Sequence, residues 1–475
     1  MPIINGNKKI LDLKRWEFCA PLPVTMTTGS CIASSRHFRQ QQFLLRSNTE
    51  AYIYNPSEDG WIFLGSPALG GTFGAGASAV AGAWSTGATV GAASLTATAG
   101  TTSTITTNQT LARDIRGYKI HILAGPNAGA VLDIVSNTVG ANSVITVAPQ
   151  ASAFSASTVY RLLTPRWYLL SAGTLAAASF RVYDFATNSF VSLSQTGLPA
   201  TLATDGRLIA TPSIVDNAFK SFATGTATSA TSTTLTQTGK TWAASQWINS
   251  QVRITAGTGA GQIRTITANT ADTLTVATWT TTPDVTSQYA IEGNDNFLYY
   301  IGNNAVTMYR YDIAANTWST LAPVSARAAA PGTGMSGHWI YSVPENDWNN
   351  ESSIQNGRYI YSFQGAATMN LHRYDIAGNT WSTVLFAPTG ETLTTGTKYA
   401  LHNGTIYIQR DATGRWFAFD IARSELFPWS SMLYPQGAAI VGDTAFDVIY
   451  DDTTDLLYVY MVLNSSNILL RQMVI

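Results

Sequence analysis

The sequence predicts an all-β protein: a closed ring of six four-stranded blades, with two small β modules inserted into neighbouring blades. Three observations carry that prediction. An eleven-residue segment occurs twice, one repeat unit is split between the two ends of the chain, and two long interruptions resemble each other. Internal repetition at a period of tens of residues means one supersecondary unit used many times.

The repeated segment is Arg310-Tyr311-Asp312-Ile313-Ala314-Ala315-Asn316-Thr317-Trp318-Ser319-Thr320, and it returns as Arg373 to Thr383 with one change, Gly378 for Ala315. Tyr-Arg-Tyr alternates like a half-buried strand, Ala-Ala-Asn turns, and Thr-Trp-Ser-Thr opens the next strand. The spacing recurs in Tyr54 to Trp61, Tyr183 to Phe190 and Phe419 to Leu426. A Tyr or Phe followed seven residues later by a large apolar residue therefore marks five units. This pattern resembles the kelch repeat, whose Tyr and Trp pack between the blades of a β-propeller. The resemblance implies a propeller and no particular function. The Gly-Gly pair of kelch repeats is missing; single glycines such as Gly173, Gly302 and Gly365 stand in that region.

A sixth unit lies in two pieces. Trp16 to Pro21 has the spacing of Trp318 to Pro323, while Phe446–Tyr450, Leu456–Leu463 and Ile468–Ile475 read as three successive strands. The N-terminal strand is expected to complete the last blade and close the ring, which removes exposed sheet edges. The fold class is thus a six-bladed kelch-like β-propeller closed by the N-terminal strand. Five or seven blades are the alternatives.

Blades 2 and 3 each carry about 65 to 75 extra residues. Ile120-His121-Ile122-Leu123-Ala124-Gly125 aligns with Val252-Arg253-Ile254-Thr255-Ala256-Gly257, and Asn137-Thr138 aligns with Asn269-Thr270. The expected organisation is a propeller of residues 1–93, 164–222 and 293–475, interrupted by modules at 94–163 and 223–292. Their Thr, Ala, Ser and Gly content with short alternating stretches favours small β-barrels or sandwiches. Gly257-Thr258-Gly259-Ala260-Gly261 lacks the Lys-Ser/Thr of a phosphate loop, so hairpin geometry is expected of it. Both interruptions fall between the first and second strands of their blades, which puts the modules side by side on one face. The second module, Gly257 to Ile266 with Asn269-Thr270 and Leu274-Thr275-Val276, resembles small β modules of tailed-bacteriophage virion proteins.

Only 12% of the residues are charged and the formal net charge is −1, about half the usual ~25% charged share. No basic stripe for nucleic acid appears; Lys8, Lys9, Lys14 and Arg15 read as a solvated arm. No run of about 18 apolar residues suggests membrane insertion, and the first residues lack the apolar core of a secretion signal. Cys19 and Cys31 are expected to be reduced thiols.

Candidate chemistry is sparse. His37, His121, His338, His372 and His402 fall in no metal-ligand spacing, and no Gly-x-Ser-x-Gly elbow occurs. His372 occupies the repeat position of Tyr309, which suggests packing. Asp184, Asp312, Asp375 and Asp420 recur blade by blade just before a turn, so they are expected to accept turn N–H groups rather than act as catalytic carboxylates. The weak binding candidate is a blade 4 loop containing Trp348, Asn349 and Asn350, with Glu345, Asp347 and Glu351 beside them. No catalytic residue, cofactor or metal is expected. The leading expectation is a non-enzymatic structural or attachment protein of a tailed-phage virion. It would be assembled in the host cytoplasm and held by other virion structural proteins, with a host surface glycan as a further contact. A carbohydrate-binding adhesin is the alternative, and a propeller glycosidase or lyase the second.

Overall fold

The computed structural model describes residues 16–35, 41–74, 76–82, 84, 94–202, 204–210, 221–302, 305–333, 335–339, 358–385, 392–393, 397–402, 404–410, 416–421, 423–428, 445–451, 456–463 and 466–474. Among them are forty strands and no helix. Strand β1 is Glu17–Phe18. Blade 1 is β2 (Cys31–Ser34), β3 (Gln42–Leu45), β4 (Ala51–Asn55) and β5 (Gly60–Gly65). Blade 2 opens with β6 (Ser78–Gly82). Seven strands follow: β7 (Leu95–Thr96), β8 (Ala99–Gly100), β9 (Thr104–Thr106), β10 (Lys119–Ala124), β11 (Val131–Asn137), β12 (Val144–Val147) and β13 (Val159–Leu163). Blade 2 resumes with β14 (Arg166–Leu170), β16 (Phe180–Asp184) and β17 (Ser189–Ser192); short β15 (Gly173–Thr174) pairs with β18 (Thr201–Leu202).

Blade 3 repeats the plan. It opens with β19 (Arg207–Ala210) and passes through β20 (Ala223–Thr226), β21 (Ser229–Thr231), β22 (Thr234–Thr236), β23 (Gln251–Ala256), β24 (Ile263–Asn269), β25 (Thr273–Val276) and β26 (Gln288–Glu292). It closes with β27 (Phe297–Ile301), β28 (Met308–Asp312) and β29 (Thr317–Leu321). Blade 4 is β30 (His338–Trp339), β31 (Tyr359–Gly365), β32 (Thr368–Asp375) and β33 (Thr380–Leu385); blade 5 is β34 (Lys398–His402), β35 (Thr405–Gln409), β36 (Trp416–Asp420) and β37 (Glu425–Pro428). Blade 6 is β38 (Ala445–Asp451), β39 (Leu456–Val462) and β40 (Leu469–Val474), and its fourth strand is β1, with Glu17 opposite Arg471 and Phe18 opposite Leu470.

Six antiparallel four-stranded sheets thus form a six-bladed β-propeller, and strands from both ends of the chain share the last blade. The innermost strands neighbour one another around the axis: β38 lies beside β34 and β2, then β2 beside β6, β6 beside β19, and β19 beside β30. The repeat aromatics pack within and between blades. Within a blade, Tyr54–Trp61, Tyr183–Phe190, Tyr311–Trp318 and Tyr374–Trp381 have ring centroids 5.1, 4.8, 5.1 and 5.3 Å apart. Between blades, Phe180 meets Tyr311 at 4.9 Å and Trp318 at 5.2 Å, Phe43 meets Tyr183 at 5.7 Å, and Tyr54 meets Tyr460 at 5.9 Å. Such pairs add to the area they bury.

The repeat turn contains a second device. Five residues after the Tyr stands Asn316, Asn379, Asn188 or Asp59, each with positive φ, a conformation that Asn and Asp tolerate better than other side chains. The phenol donates to that residue's side-chain oxygen at 2.6 Å in Tyr311–Asn316 and Tyr54–Asp59, and at 2.7 Å in Tyr374–Asn379 and Tyr183–Asn188. The same side chain ties in the connector from the preceding blade. Ser194 N–H donates to Asn316, Ala20 N–H donates to Asp59, and Asn379 donates to the Ala322 carbonyl. One turn residue therefore closes its own hairpin and staples two blades together.

The recurring aspartates act as expected. Thr187, Ala315, Gly378 and Arg423 each donate a backbone N–H, at 2.9 to 3.1 Å, to the aspartate three residues earlier: Asp184, Asp312, Asp375 and Asp420 respectively. Cys19 and Cys31 are free thiols.

Candidate interaction face

Antiparallel pairing puts the C-terminal ends of each blade's first and third strands on one face. The two seven-stranded sheets lie there, between β6 and β14 and between β19 and β27. Their strand orders match position for position, β7-β13-β10-β11-β12-β9-β8 and β20-β26-β23-β24-β25-β22-β21. The outermost strands of each sheet, β7 and β8 or β20 and β21, are joined by a two-residue link, so each sheet must curl round into a barrel. Register shifts fall at equivalent places, Ile122/Ala124 with Ile254/Ala256 and Ile134/Ser136 with Ile266/Ala268. Such bulges bend a sheet.

An asparagine organises each barrel. Asn137 accepts from Ile115 N–H and donates to the Arg113 and Thr138 carbonyls. Asn269 accepts from Trp247 N–H and donates to the Ala243 and Thr270 carbonyls.

The barrels are docked on the ring. In the first, Ala112 N–H donates to the Ala186 carbonyl, and Arg113 donates to the Tyr183 phenol and to Asn188 while stacking over Phe185. It therefore grips the repeat turn of its own blade. The second reaches further: Asn249 donates to the Ile376 carbonyl in the blade 4 turn and accepts from Arg310 of blade 3. Apolar residues of each barrel belong to the same continuous clusters as the propeller core: Tyr118 and Ile122 share one with Phe43 and Trp167, and Ile254 and Trp247 share another with Phe297 and Tyr361.

The barrels also meet each other. Gly129 and Gly261 occupy equivalent positions with φ of 90° and 89°. A Cβ on Gly129 would lie 2.7 Å from the Thr255 carbonyl oxygen, and one on Gly261 would lie 2.3 Å from that of Leu123. Leu123 and Thr255 are themselves equivalent, so the contact is reciprocal, as in a two-fold interface. Near it lie another equivalent pair, His121 and Arg253. Arg253 forks onto Glu292 at 2.6 Å, with side-chain exposures of 11% and 1%. Arg161 stands 3.6 Å from Asp295 and over the Trp84 ring. His121 is buried, and its Nε2 has no hydrogen-bond partner among the described residues. Burial, reinforced by Arg253 and Arg161, holds its imidazole well below the ordinary range, so it is neutral.

The sequence-derived site residues fare unevenly. Trp348, Asn349 and Asn350, with Glu345, Asp347 and Glu351, lie outside the described residues. His372 is buried between Gln364 and Thr383, and burial lowers it to about 4; it packs, as its repeat position suggested. The Asn/Asp at plus five of the repeat was not singled out from sequence, although its recurrence at a fixed offset was the available signal. The pairing of His121 with Arg253 had no sequence signal beyond the alignment of the two barrels.

Reactive chemistry is hard to find on this scaffold. Arg207 and Lys398 on inner strands favour the Cys31 thiolate, yet burial outweighs them and pushes the thiol up to about 12, the wrong direction for a nucleophile. No group of three or more His, Cys, Asp or Glu among the described residues could hold a metal. No tryptophan whose burial is described is exposed to stack on a sugar.

No family model and no curated protein matches the chain. Among solved structures it is similar to a fucose-specific lectin from Aleuria aurantia, at 9% identity over 94% of this chain and 97% of that one, with a TM-score of 0.38. It is also similar to a chain of a mitotic checkpoint complex, at 10% identity over 99% and 96%, with a TM-score of 0.36. At these scores the likenesses carry no argument about what the protein does.

Proposed function

We propose that this protein is a non-enzymatic structural or attachment subunit of a tailed-phage virion. A kelch-type propeller would be its platform and the paired barrels its contact element, held among other virion structural proteins. The observation that carries this reading is the reciprocal packing of two like barrels, each anchored to the ring through repeat-turn residues. That arrangement presents a large preformed surface on one face and leaves little to reorganise on binding. The low charge of the chain suits a surface that is covered in an assembly. Mass spectrometry of purified particles, followed by imaging of six-bladed discs within them, tests the proposal. Absence of the chain from particles rejects it.

A further inference from the structure

The outer strand of blade 1 departs from the repeat. In blades 3 and 4 the tryptophan on the outer strand is followed by Ser319-Thr320 and Ser382-Thr383; in blade 1, Trp61 is followed by Ile62-Phe63. Phe63 is 59% exposed and Ile62 40%, and Phe18, on the outer strand of neighbouring blade 6, is 66% exposed.

The edges differ as well. In blade 3, Trp318 N–H is capped by the Thr196 carbonyl of the incoming connector; in blade 4, Trp381 N–H is capped by Ser325, which bridges Thr380 in parallel. At β5 and its turn the equivalent connector of blade 1 makes side-chain bonds instead: Ala20 N–H donates to Asp59, and the Trp61 indole donates to the Ala20 carbonyl. Tyr54 faces Trp61 as Tyr311 faces Trp318, so by the same geometry the Trp61 and Phe63 backbone groups point outward. No described backbone group meets them. An apolar, proline-free edge with open hydrogen-bonding groups is a template for another strand.

We propose that β5 is a homodimer edge: two copies of this chain pair their β5 strands antiparallel about a two-fold axis, joining two blade 1 sheets into one. Charge selects a second copy as the occupant. Glu58, exposed and with no ion pair among the described residues, stands just before β5. Just after β5, the Arg181 guanidinium lies on the Pro67 and Ala68 carbonyls, with no carboxylate partner among the described residues. Antiparallel pairing about a two-fold axis at Ile62 sets each outward-facing Trp61 opposite the other copy's Phe63 and carries each Glu58 to the other copy's Ser66, beside its Arg181 end. A self-complementary patch of this kind is what an isologous interface requires. The barrels belong to blades 2 and 3 and leave the blade 1 rim clear of the sequences inserted there.

Sedimentation velocity over a concentration series tests the proposal, with Ile62→Ser/Phe63→Thr as the main variant. Those residues already stand at the equivalent sites of blade 3, so the ring tolerates them, and an unchanged Tm confirms folding. The expected result is a wild-type dimer whose Kd rises at least ~100-fold in the double variant. Glu58→Lys is expected to raise the Kd by about tenfold at low salt and less at high salt. A wild-type protein that stays monomeric at high concentration overturns the proposal. So does a dimer that the double variant leaves intact.

Discussion

The two barrels share a strand order, two bulges and an asparagine brace, yet they are seated differently. The first carries neutral His121 at the position where the second carries Arg253, and Leu163 where the second carries Glu292. The first grips the turn of its own blade, whereas the second reaches across blade 3 to blade 4. Duplicated units therefore keep what each barrel needs for itself and diverge where each meets its surroundings. The asparagine brace satisfies backbone groups within the barrel, so either copy needs it. The seam has two unlike neighbours, so its residues are free to differ.

Four experiments can break or sharpen that contrast. The largest effect is expected from Glu292→Ala, which strands Arg253 without its carboxylate; denaturant unfolding should show a loss of about 3–5 kcal/mol. Leu163→Ala in the first barrel should cost less, as a plain large-to-small change of about 2–3 kcal/mol. Equal losses would mean that Arg253 is served by other groups.

Next come the reciprocal glycines. Gly261→Ala places a Cβ against the Leu123 carbonyl in a positive-φ conformation, and Gly129→Ala does the same toward Thr255. Each is expected to cost at least about 2 kcal/mol and to speed amide exchange in the partner barrel's β10 or β23. Exchange that changes only in the mutated barrel would refute the seam.

The third effect depends on pH. Below about pH 6.5 the unfolded chain binds a proton on His121 that the folded chain refuses. Stability present above that pH is therefore lost as the pH falls, at up to about 1.4 kcal/mol per pH unit. The second barrel carries Arg253 at this position and so has no histidine counterpart there. His121→Gln should flatten the slope between pH 6.5 and 5 in denaturant titrations, leaving the part due to His372. An unaltered slope would show that His121 is not buried neutral.

The smallest effect is expected from Asp133→Asn. The Lys119–Asp133 pair of the first barrel leaves the carboxylate 75% exposed, so its loss should shift stability by no more than about 0.5 kcal/mol. A larger shift would place Asp133 in an interface.

The repeat made the ring legible in advance. The aromatic, the turn residue and the large apolar residue of each repeat stand at fixed offsets because hairpin geometry is local. Ring closure by Trp16 to Phe18 was legible for the same reason, since the missing strand had a recognisable spacing. The aspartates could be assigned to turns because one residue serving four blades has a role common to all of them. The candidate loop at Trp348 had no such support: a loop is not periodic, and its residues carry no register.

By itself, then, the sequence determined the blade pattern and the split closure, both written in short-range periodicity. Only the tertiary structure decided that the barrels touch through Gly129 and Gly261, that Glu292 serves Arg253, and that described backbone groups cap β29 and β33 but not β5. Those facts depend on backbone approach between segments far apart in the chain. A glycine or an edge strand in sequence looks the same whether or not another carbonyl arrives beside it.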